Sequence, residues 1–210
     1  MEHENSIKTK INSELTVDKE GQLLFPGDFL QIGSPEAVNM SFSRLAKEKK
    51  IHRLAKGIYL YPKTHHKMGV IYPSLEEIAR KIATREKVQI RPTGSYALNK
   101  LGLSTQVPTK VVFLTDGSPR KIKVGKGTIT FKSTTPKKMA ATGELTFLAI
   151  QAMLILSEKG VDENVLNHLK SVLKNEGATQ VREGAKSAPV WIARQLYLIA
   201  DKIERDDQVS

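Results

Sequence analysis

The sequence predicts an α+β fold, and three observations support this prediction. Apolar residues recur at helical spacing toward both ends of the chain, β-prone runs separated by glycine turns fill its middle, and 40% of its 210 residues are hydrophobic. Residues 63–69 show no periodicity and are predicted to be a linker. We therefore expect one domain over residues 1–67 and a second over residues 70–210.

The first domain is expected to begin with a helix and a short strand. Ile7, Ile11 and Leu15 are spaced by four, which predicts a helix from about residue 4 to residue 16. Residues 23–25 favour a short strand that pairs with a later hairpin. Pro26 then suits the first turn of a short helix.

A second helix is predicted to start at Pro35, because Ser34 can act as its N-cap and proline is favoured at the first helical position. Along this helix Val38, Phe42 and Leu45 form one apolar stripe at positions i, i+4 and i+7. The opposite face is mostly polar or basic and carries Glu36, Asn39, Met40, Ser43, Arg44 and Lys47.

A tight two-stranded hairpin is expected next, around the turn pair Lys56–Gly57. Its flanks, from Ile51 to Tyr59, include β-branched, aliphatic and aromatic residues. The resulting order of helix, strand, two helices and hairpin matches a winged helix-turn-helix in which the hairpin is the wing.

The charge of this segment points to a polyanion. Residues 37–67 hold eight Lys or Arg residues and a single acid, Glu48. Asn, Ser, Arg and Lys on one helix face can meet base edges in a major groove while neighbouring cations contact phosphates. An ordinary solvated basic face is the alternative. The residues expected to contact double-stranded operator DNA are Asn39, Ser43, Arg44, Lys47, Lys49, Lys50, Arg53 and Lys56.

The second domain is predicted to start with a helix and continue into a small sheet. Ser74 and Glu77 form a capping box, so a helix should run to about Glu86. Ser95 is expected to cap a short helix. The expected strands, within 88–132, cover residues 88–91, 111–115, 122–124 and 128–131. The expected long helices, within 143–205, cover residues 143–158, 162–175 and 189–204, with Gly160 and residues 177–188 between them.

A second basic surface is predicted on this sheet. Alternating positions on a strand present their side chains on one face, so several cations should lie together. The surface serves either nucleic acid or a partner protein, and the alternative is a sheet edge that lysines protect against strand pairing. Its predicted members are Arg91, Arg120, Lys121, Lys123, Lys126 and Lys132, with Lys137 and Lys138 beyond them.

Composition and motifs narrow the function classes. The net charge of +11 favours nucleic acid as a partner, and the absence of cysteine excludes disulfides and thiolate metal sites. The sequence shows no secretory signal and no apolar run long enough for a membrane span, so we expect a cytoplasmic protein without membrane contact. We expect no catalytic residues and no cofactor. The adjacent pair His65–His66 lacks further ligands at suitable spacing, so no metal site is expected either.

Two segments resemble a known family. SRLAKEKKI at Ser43–Ile51, followed by RLAKGIYLYP at Arg53–Pro62, is similar to the winged-helix module of AbiEi-type antitoxins. PTGSYALNKLGLSTQVP at Pro92–Pro108 with VVFLTDGSPRKIKVG at Val111–Gly125 resembles the second domain of one AbiEi-like family. Within the second segment, Gly94, Leu101 and Gly102 are expected to serve the fold, while Gln106 and Arg91 are the polar residues suspected of function.

The resemblance implies a winged helix-turn-helix followed by a mixed α/β antitoxin-like domain with a helical C-terminal part. It also implies a DNA-binding autorepressor that acts as the antitoxin of a type IV toxin–antitoxin (abortive infection) operon. The functional partner is then a nucleotidyltransferase-type toxin, with direct contact left open. An RNA- or ribosome-associated basic binding protein without catalytic activity is the alternative.

Overall fold

The computed structural model describes residues 2–135, 139 and 143–209. It contains both helices and strands, so the α+β class is confirmed. Two compact units make up the chain. The first is Met1–Ile82 with Ile122–Lys126, and the second is Ala83–Lys121 with Gly127–Ser210.

Helices of the first unit follow the local signals in the sequence. Helix α1 spans Glu2–Ser13, and short 3₁₀ helices span Val17–Lys19 and Pro26–Phe29. Helix α2 spans Pro35–Lys47, and the Ser34 side chain accepts a hydrogen bond from the Ala37 amide at 3.3 Å, which confirms the predicted cap.

A three-stranded antiparallel sheet completes the core of this unit. Its strands are β1 (Leu23–Leu24), β2 (His52–Ala55) and β3 (Ile58–Leu60), in the order β1-β3-β2. The hairpin around Lys56–Gly57 and its pairing with the first strand are therefore confirmed. The buried cluster consists of Ile7, Ile11, Leu24, Phe29, Val38, Phe42, Leu45, Ile51 and Tyr59.

The predicted linker at 63–69 is wrong, because this segment is part of a second hairpin. Strand β4 (Lys63–His65) pairs antiparallel with β5 (Gly69–Ile71), with Thr64 opposite Val70. Thr64, Val70 and Ile71 are β-branched, and Gly69 adopts φ +71°, which a turn into β5 requires. The first compact unit accordingly runs to Ile82 and not only to residue 67.

Helix α3, Leu75–Glu86, begins with the predicted capping box. The Ser74 amide donates to Glu77 Oε2 at 2.7 Å, and the Glu77 amide donates to Ser74 Oγ at 3.2 Å. These two bonds satisfy amides that have no partner within the helix.

The four-stranded sheet has an order that the sequence did not indicate. Strands β6 (Ile90–Thr93), β7 (Lys110–Thr115), β8 (Arg120–Val124) and β9 (Gly127–Ser133) lie in the order β6-β7-β9-β8. Strand β7 pairs antiparallel with β6 and parallel with β9, so that Phe113 lies opposite both Pro92 and Phe131. Strand β8 is an edge strand.

Helix α4 spans Ser95–Lys100, and its N-cap is Gly94 rather than the predicted Ser95. Gly94 has φ +68°, and no side chain caps this end of the helix. At the other end the chain turns at Gly102, φ +74°, and the Leu101 carbonyl lies 2.6 Å from His168 Nε2. Leu101 is buried, as expected of a fold determinant.

The C-terminal helices are α5 (Glu144–Leu156), α6 (Glu163–Leu173), α7 (Ala178–Ala185) and α8 (Val190–Val209). Three of them confirm the predicted helices at 143–158, 162–175 and 189–204 to within a few residues. Helix α7 corrects the sequence analysis, which placed only a connecting stretch at 177–188. It forms because Val181 and Ala185 are fully buried, even though the segment has no capping side chain at Gly177.

Glu176 caps helix α5 from a distant position in the sequence. Its carboxylate accepts hydrogen bonds from the Leu145 and Thr146 amides at 2.9 and 2.8 Å and from the Thr146 hydroxyl. Gly143 makes room for it, since a Cβ atom there would lie 2.2 Å from the Glu176 Cδ atom. A negative charge at this position also complements the positive end of the helix dipole.

We expect Glu176→Ala to lower the free energy of unfolding by about 2 kcal/mol, because it removes a cap and leaves partly buried amides without an acceptor. Asp162→Ala is the matched control. Asp162 caps the exposed start of α6 by accepting from the Val165 amide at 2.9 Å, and its loss should cost about 1 kcal/mol. Urea unfolding measures both. An equal or smaller loss for Glu176→Ala would contradict the proposed capping role.

Candidate nucleic-acid interface

Helix α2 separates a buried face from an exposed one. Val38, Phe42 and Leu45 are completely buried. Asn39, Ser43 and Lys47 are exposed, as predicted, and Arg44 is half-buried. The helix can therefore present its polar residues to a ligand without disturbing the core.

Two of these side chains are already held by their own helix. The Asn39 Nδ2 atom donates to the Pro35 carbonyl at 2.7 Å, and the Arg44 Nη2 atom lies 3.3 Å from the Met40 sulfur atom. Reading an adenine through both amide atoms would require Asn39 to release its bond to Pro35. Met40 is exposed and restrains Arg44 at the surface.

Lys49 ends helix α2 in a left-handed conformation, with φ +58°. The Lys49 amide donates to the Ala46 carbonyl at 3.1 Å, and the Lys50 amide donates to the Leu45 carbonyl at 3.0 Å. This pair of bonds is a Schellman motif, in which glycine is the usual residue at the position of Lys49. The motif turns the chain so that Ile51 is buried immediately before β2.

Glu48, the one acid of residues 37–67, is paired with two lysines. Its Oε1 atom lies 2.8 Å from Lys8 Nζ, and its Oε2 atom lies 3.6 Å from Lys50 Nζ. The hydrogen bond from Lys8 holds the pKa of Glu48 below its usual value, and the positive charges of Lys8 and Lys50 act in the same direction. Lys50 is therefore a weaker candidate for phosphate contact than Lys49.

The hairpin β2–β3 exposes two further predicted contacts. Arg53 lies on β2 and is exposed, and a β-bulge separates it from Ala55. Lys56 is exposed in the turn, where Gly57 adopts φ +72°. Both side chains can reach a ligand from this hairpin.

Two members of the second predicted surface are engaged within their own unit. The Arg91 guanidinium lies 4.7 Å from the centre of the Phe147 ring. Burial lowers the pKa of Arg91, and the negative charges of Glu144 and Glu176, which act in the opposite direction, only partly offset this effect. Arg120 Nη2 lies 2.7 and 2.6 Å from the two carboxylate oxygens of Glu86. A phosphate would therefore have to compete with contacts that both arginines already make within the second unit.

The remaining cations of this surface are exposed. Lys121 and Lys123 alternate with half-buried residues on β8, and Lys126 lies in the turn that follows. Lys132 is exposed on β9. Lys137 and Lys138 lie outside the described residues. Gln106 is exposed, and its backbone carbonyl accepts a hydrogen bond from Asn99 Nδ2 at 3.1 Å.

Sequence analysis counted Lys63 and Lys67 in the basic segment but did not name them among the expected DNA contacts. Lys63, His66 and Lys67 are exposed on β4 and the turn that follows it. The available signal was the presence of β-branched residues on both sides of His65–Gly69, with Thr64 before this stretch and Val70 and Ile71 after it. A second signal was the absence of any acid from Lys49 to Leu75.

Within the described ranges, no group of three or more His, Asp or Glu side chains could hold a metal ion. The rings of His65 and His66 lie 4.5 Å apart, and the Lys67 amide donates to His65 Nδ1 at 3.3 Å. The absence of a metal, a cofactor and catalytic residues stays a prediction. Among the helices that the structure describes, none is long and apolar enough to cross a membrane.

Lys49→Gly should raise the free energy of unfolding by about 0.5–1 kcal/mol, because glycine adopts φ +58° without the steric cost that lysine bears. Lys87→Gly should do the same. Lys87 has φ +56°, and the Lys87 and Val88 amides donate to the Thr84 and Ala83 carbonyls in the same cap motif after α3.

The reverse change should be destabilising. Gly102 has φ +74°, so Gly102→Ala places a side chain in the left-handed region and should lower the free energy of unfolding. Thermal unfolding checks all three, and destabilisation by Lys49→Gly would contradict this account.

Comparison with known proteins supplies a family but no function. No curated protein matches the chain. A family model described as a family of unknown function (DUF6088) matches residues 10–181, which include most of both compact units. The chain belongs to the DUF6088 family.

Proposed function

We propose that the chain is a DNA-binding transcriptional autorepressor that acts as the antitoxin of a toxin–antitoxin operon. One observation carries the DNA-binding part. The exposed polar face of α2 ends in the lysine cap at Lys49 and is followed by a hairpin that exposes Arg53 and Lys56. Glu48, the one acid of residues 37–67, is paired with Lys8 and Lys50.

The arrangement of the first unit supports a winged helix-turn-helix. Its elements follow in the order α1, β1, a 3₁₀ helix, α2, β2 and β3, and the sheet order is β1-β3-β2. In this assignment α2 is the recognition helix, and the hairpin β2–β3 is the wing. The 3₁₀ helix Pro26–Phe29 then stands before the turn that leads into α2.

Base reading and phosphate contact fall to different side chains in this proposal. Ser43 and Arg44 lie in the C-terminal half of α2, on its polar face, and a helix in the major groove turns such a face toward base edges. Lys49, Arg53 and Lys56 lie at the end of α2 and on the wing, where cations contact the backbone. Lys47, in the last turn of α2, can serve either role.

The antitoxin part rests on the resemblance to AbiEi-type antitoxins and assigns toxin neutralisation to the second unit. Exposed apolar side chains on α5 and α8 support a protein contact there, because such residues are costly to leave in water. They are Leu154, Ile155, Val190, Tyr197 and Leu198. The proposed functional partner is a nucleotidyltransferase-type toxin encoded beside this gene. The first test is to identify the genes that flank the gene for this chain.

RNA binding by the same basic surface is the competing function. A base-reading protein keeps a preference for its operator at moderate salt, whereas a general polyanion binder loses affinity for all sequences together. Equal binding to RNA and promoter duplex of the same length would favour the competing function.

Arg44→Ala should weaken binding to the operator more than binding to a scrambled duplex. A base-reading arginine contributes about 1–3 kcal/mol of discrimination. Lys56→Ala should weaken both and reduce the salt slope of log K by about one. Mobility shifts over a salt series measure the difference. Equal losses on both duplexes for Arg44→Ala would remove the base-reading role.

Repression and neutralisation should be separable in the full-length chain. Arg44→Ala/Lys47→Ala should relieve repression of a promoter reporter while growth with the co-expressed toxin is still rescued. Tyr197→Ser/Leu198→Ser changes two exposed residues of α8 and should do the reverse. If the first variant fails to rescue, or the second fails to repress, the division of roles between the units is wrong.

A further inference from the structure

The hairpin β4–β5 contributes little to the hydrophobic core, so packing does not explain its presence. Its strands are three residues long, and its residues are exposed or half-buried on both strands. An isolated two-stranded hairpin is marginally stable in water. Met68 is 72% exposed and Ile71 is 41% exposed, so the hairpin also places apolar surface in solvent. These features favour a role for the hairpin in contacting a ligand.

The charge around this hairpin is of one sign. No Asp or Glu occurs between Glu48 and Glu76, whereas six Lys or Arg residues and three histidines do. Lys63 and Lys67 are exposed at the start of the hairpin and in its turn. Their surroundings in the chain offer no carboxylate to neutralise them, so they are suited to bind phosphates.

The hairpin is attached to the sheet at both of its ends. Before it, the Tyr61 amide donates to the Gln22 carbonyl at 2.9 Å, and the Gly21 amide donates to the Tyr61 carbonyl at 2.8 Å, which extends the pairing of β1 with β3. After it, a hydrogen bond of 2.7 Å joins Tyr72 Oη to His52 Nδ1 on β2. The hairpin therefore has a defined position relative to the wing, within one compact unit.

We propose that the hairpin β4–β5 is a second duplex-DNA contact beside the wing. Lys63 and Lys67 bind phosphates, and Met68 enters a groove next to the bases read by α2. A two-stranded ribbon fits a DNA groove, and methionine is among the apolar residues that contact base steps. Three residues per strand give the ribbon a reach of about 10 Å. The inference rests on the proposed DNA-binding function.

The test compares full-length variants on the native promoter by mobility shift between 50 and 200 mM salt, with hydroxyl-radical footprinting. Lys63→Gln/Lys67→Gln removes two phosphate contacts, so the salt slope of log K should fall by about 1.8, and the ratio of Kd at the two salt concentrations should fall about twelvefold. The footprint should lose protection at one flank. Met68→Gln should weaken binding with an unchanged salt slope.

Lys159→Gln/Lys202→Gln is the control, because it removes the same charge from two exposed lysines of the second unit. It should leave the slope and the footprint as in the wild type. Thermal unfolding confirms that each variant is folded. An unchanged slope and footprint in Lys63→Gln/Lys67→Gln, with specific binding by the wild type, would overturn the hairpin contact alone. Failure of the wild type to prefer its promoter, or equal binding to RNA, would overturn the proposed function and the inference together.

Discussion

The burial of Phe42 fixes which side of α2 faces the solvent. Its ring centre lies 5.2 Å from that of Phe29 in an edge-on arrangement and 5.1 Å from that of Tyr59. One side chain thus joins the 3₁₀ helix, α2 and β3. Aromatic pairs of this kind are worth about 0.5–1.5 kcal/mol beyond the area they bury. Rotation of α2 about its axis would break both contacts, so the orientation of Asn39, Ser43 and Lys47 follows from the core.

Much of this first unit could be predicted because its signals are local. Ser34, Pro35 and the apolar stripe of α2 lie within a dozen residues of one another, and the turn at Lys56–Gly57 defines its own hairpin. The hairpin β4–β5 escaped prediction because its strands are short and exposed, and so they lack the alternation of apolar and polar residues that marks a half-buried strand.

What could not be predicted depends on residues far apart in the chain. The parallel pairing of β7 with β9 and the capping of α5 by Glu176 are set by tertiary packing and leave no periodic pattern. Helix α7 was missed because Gly177 stands immediately before it and Gly184 lies within it, although Val181 and Ala185 anchor it in the core. Arg91 and Arg120 could be predicted only as surface cations, because their partners Phe147 and Glu86 lie far from them in the sequence.

The distribution of ion pairs says more about the candidate interface than the net charge of the chain does. In the C-terminal helices, cations form ion pairs with acids. Lys170 Nζ lies 2.6 Å from Asp206 Oδ2, and Arg182 Nη2 lies 2.6 Å from Glu204 Oε2. Each of these acids neutralises the positive charge of the Lys or Arg side chain beside it. From Lys49 to Leu75 the sequence supplies no acid. The mutual repulsion of its cations is offset at Lys50, which pairs with the neighbouring Glu48, while the cations from Arg53 to Lys67 have no acid near them in the sequence. A polyanion would relieve that repulsion on binding. Lys49, at φ +58°, shows a similar trade of stability for positive charge. Glycine at this position would stabilise the fold but would remove a cation from the surface.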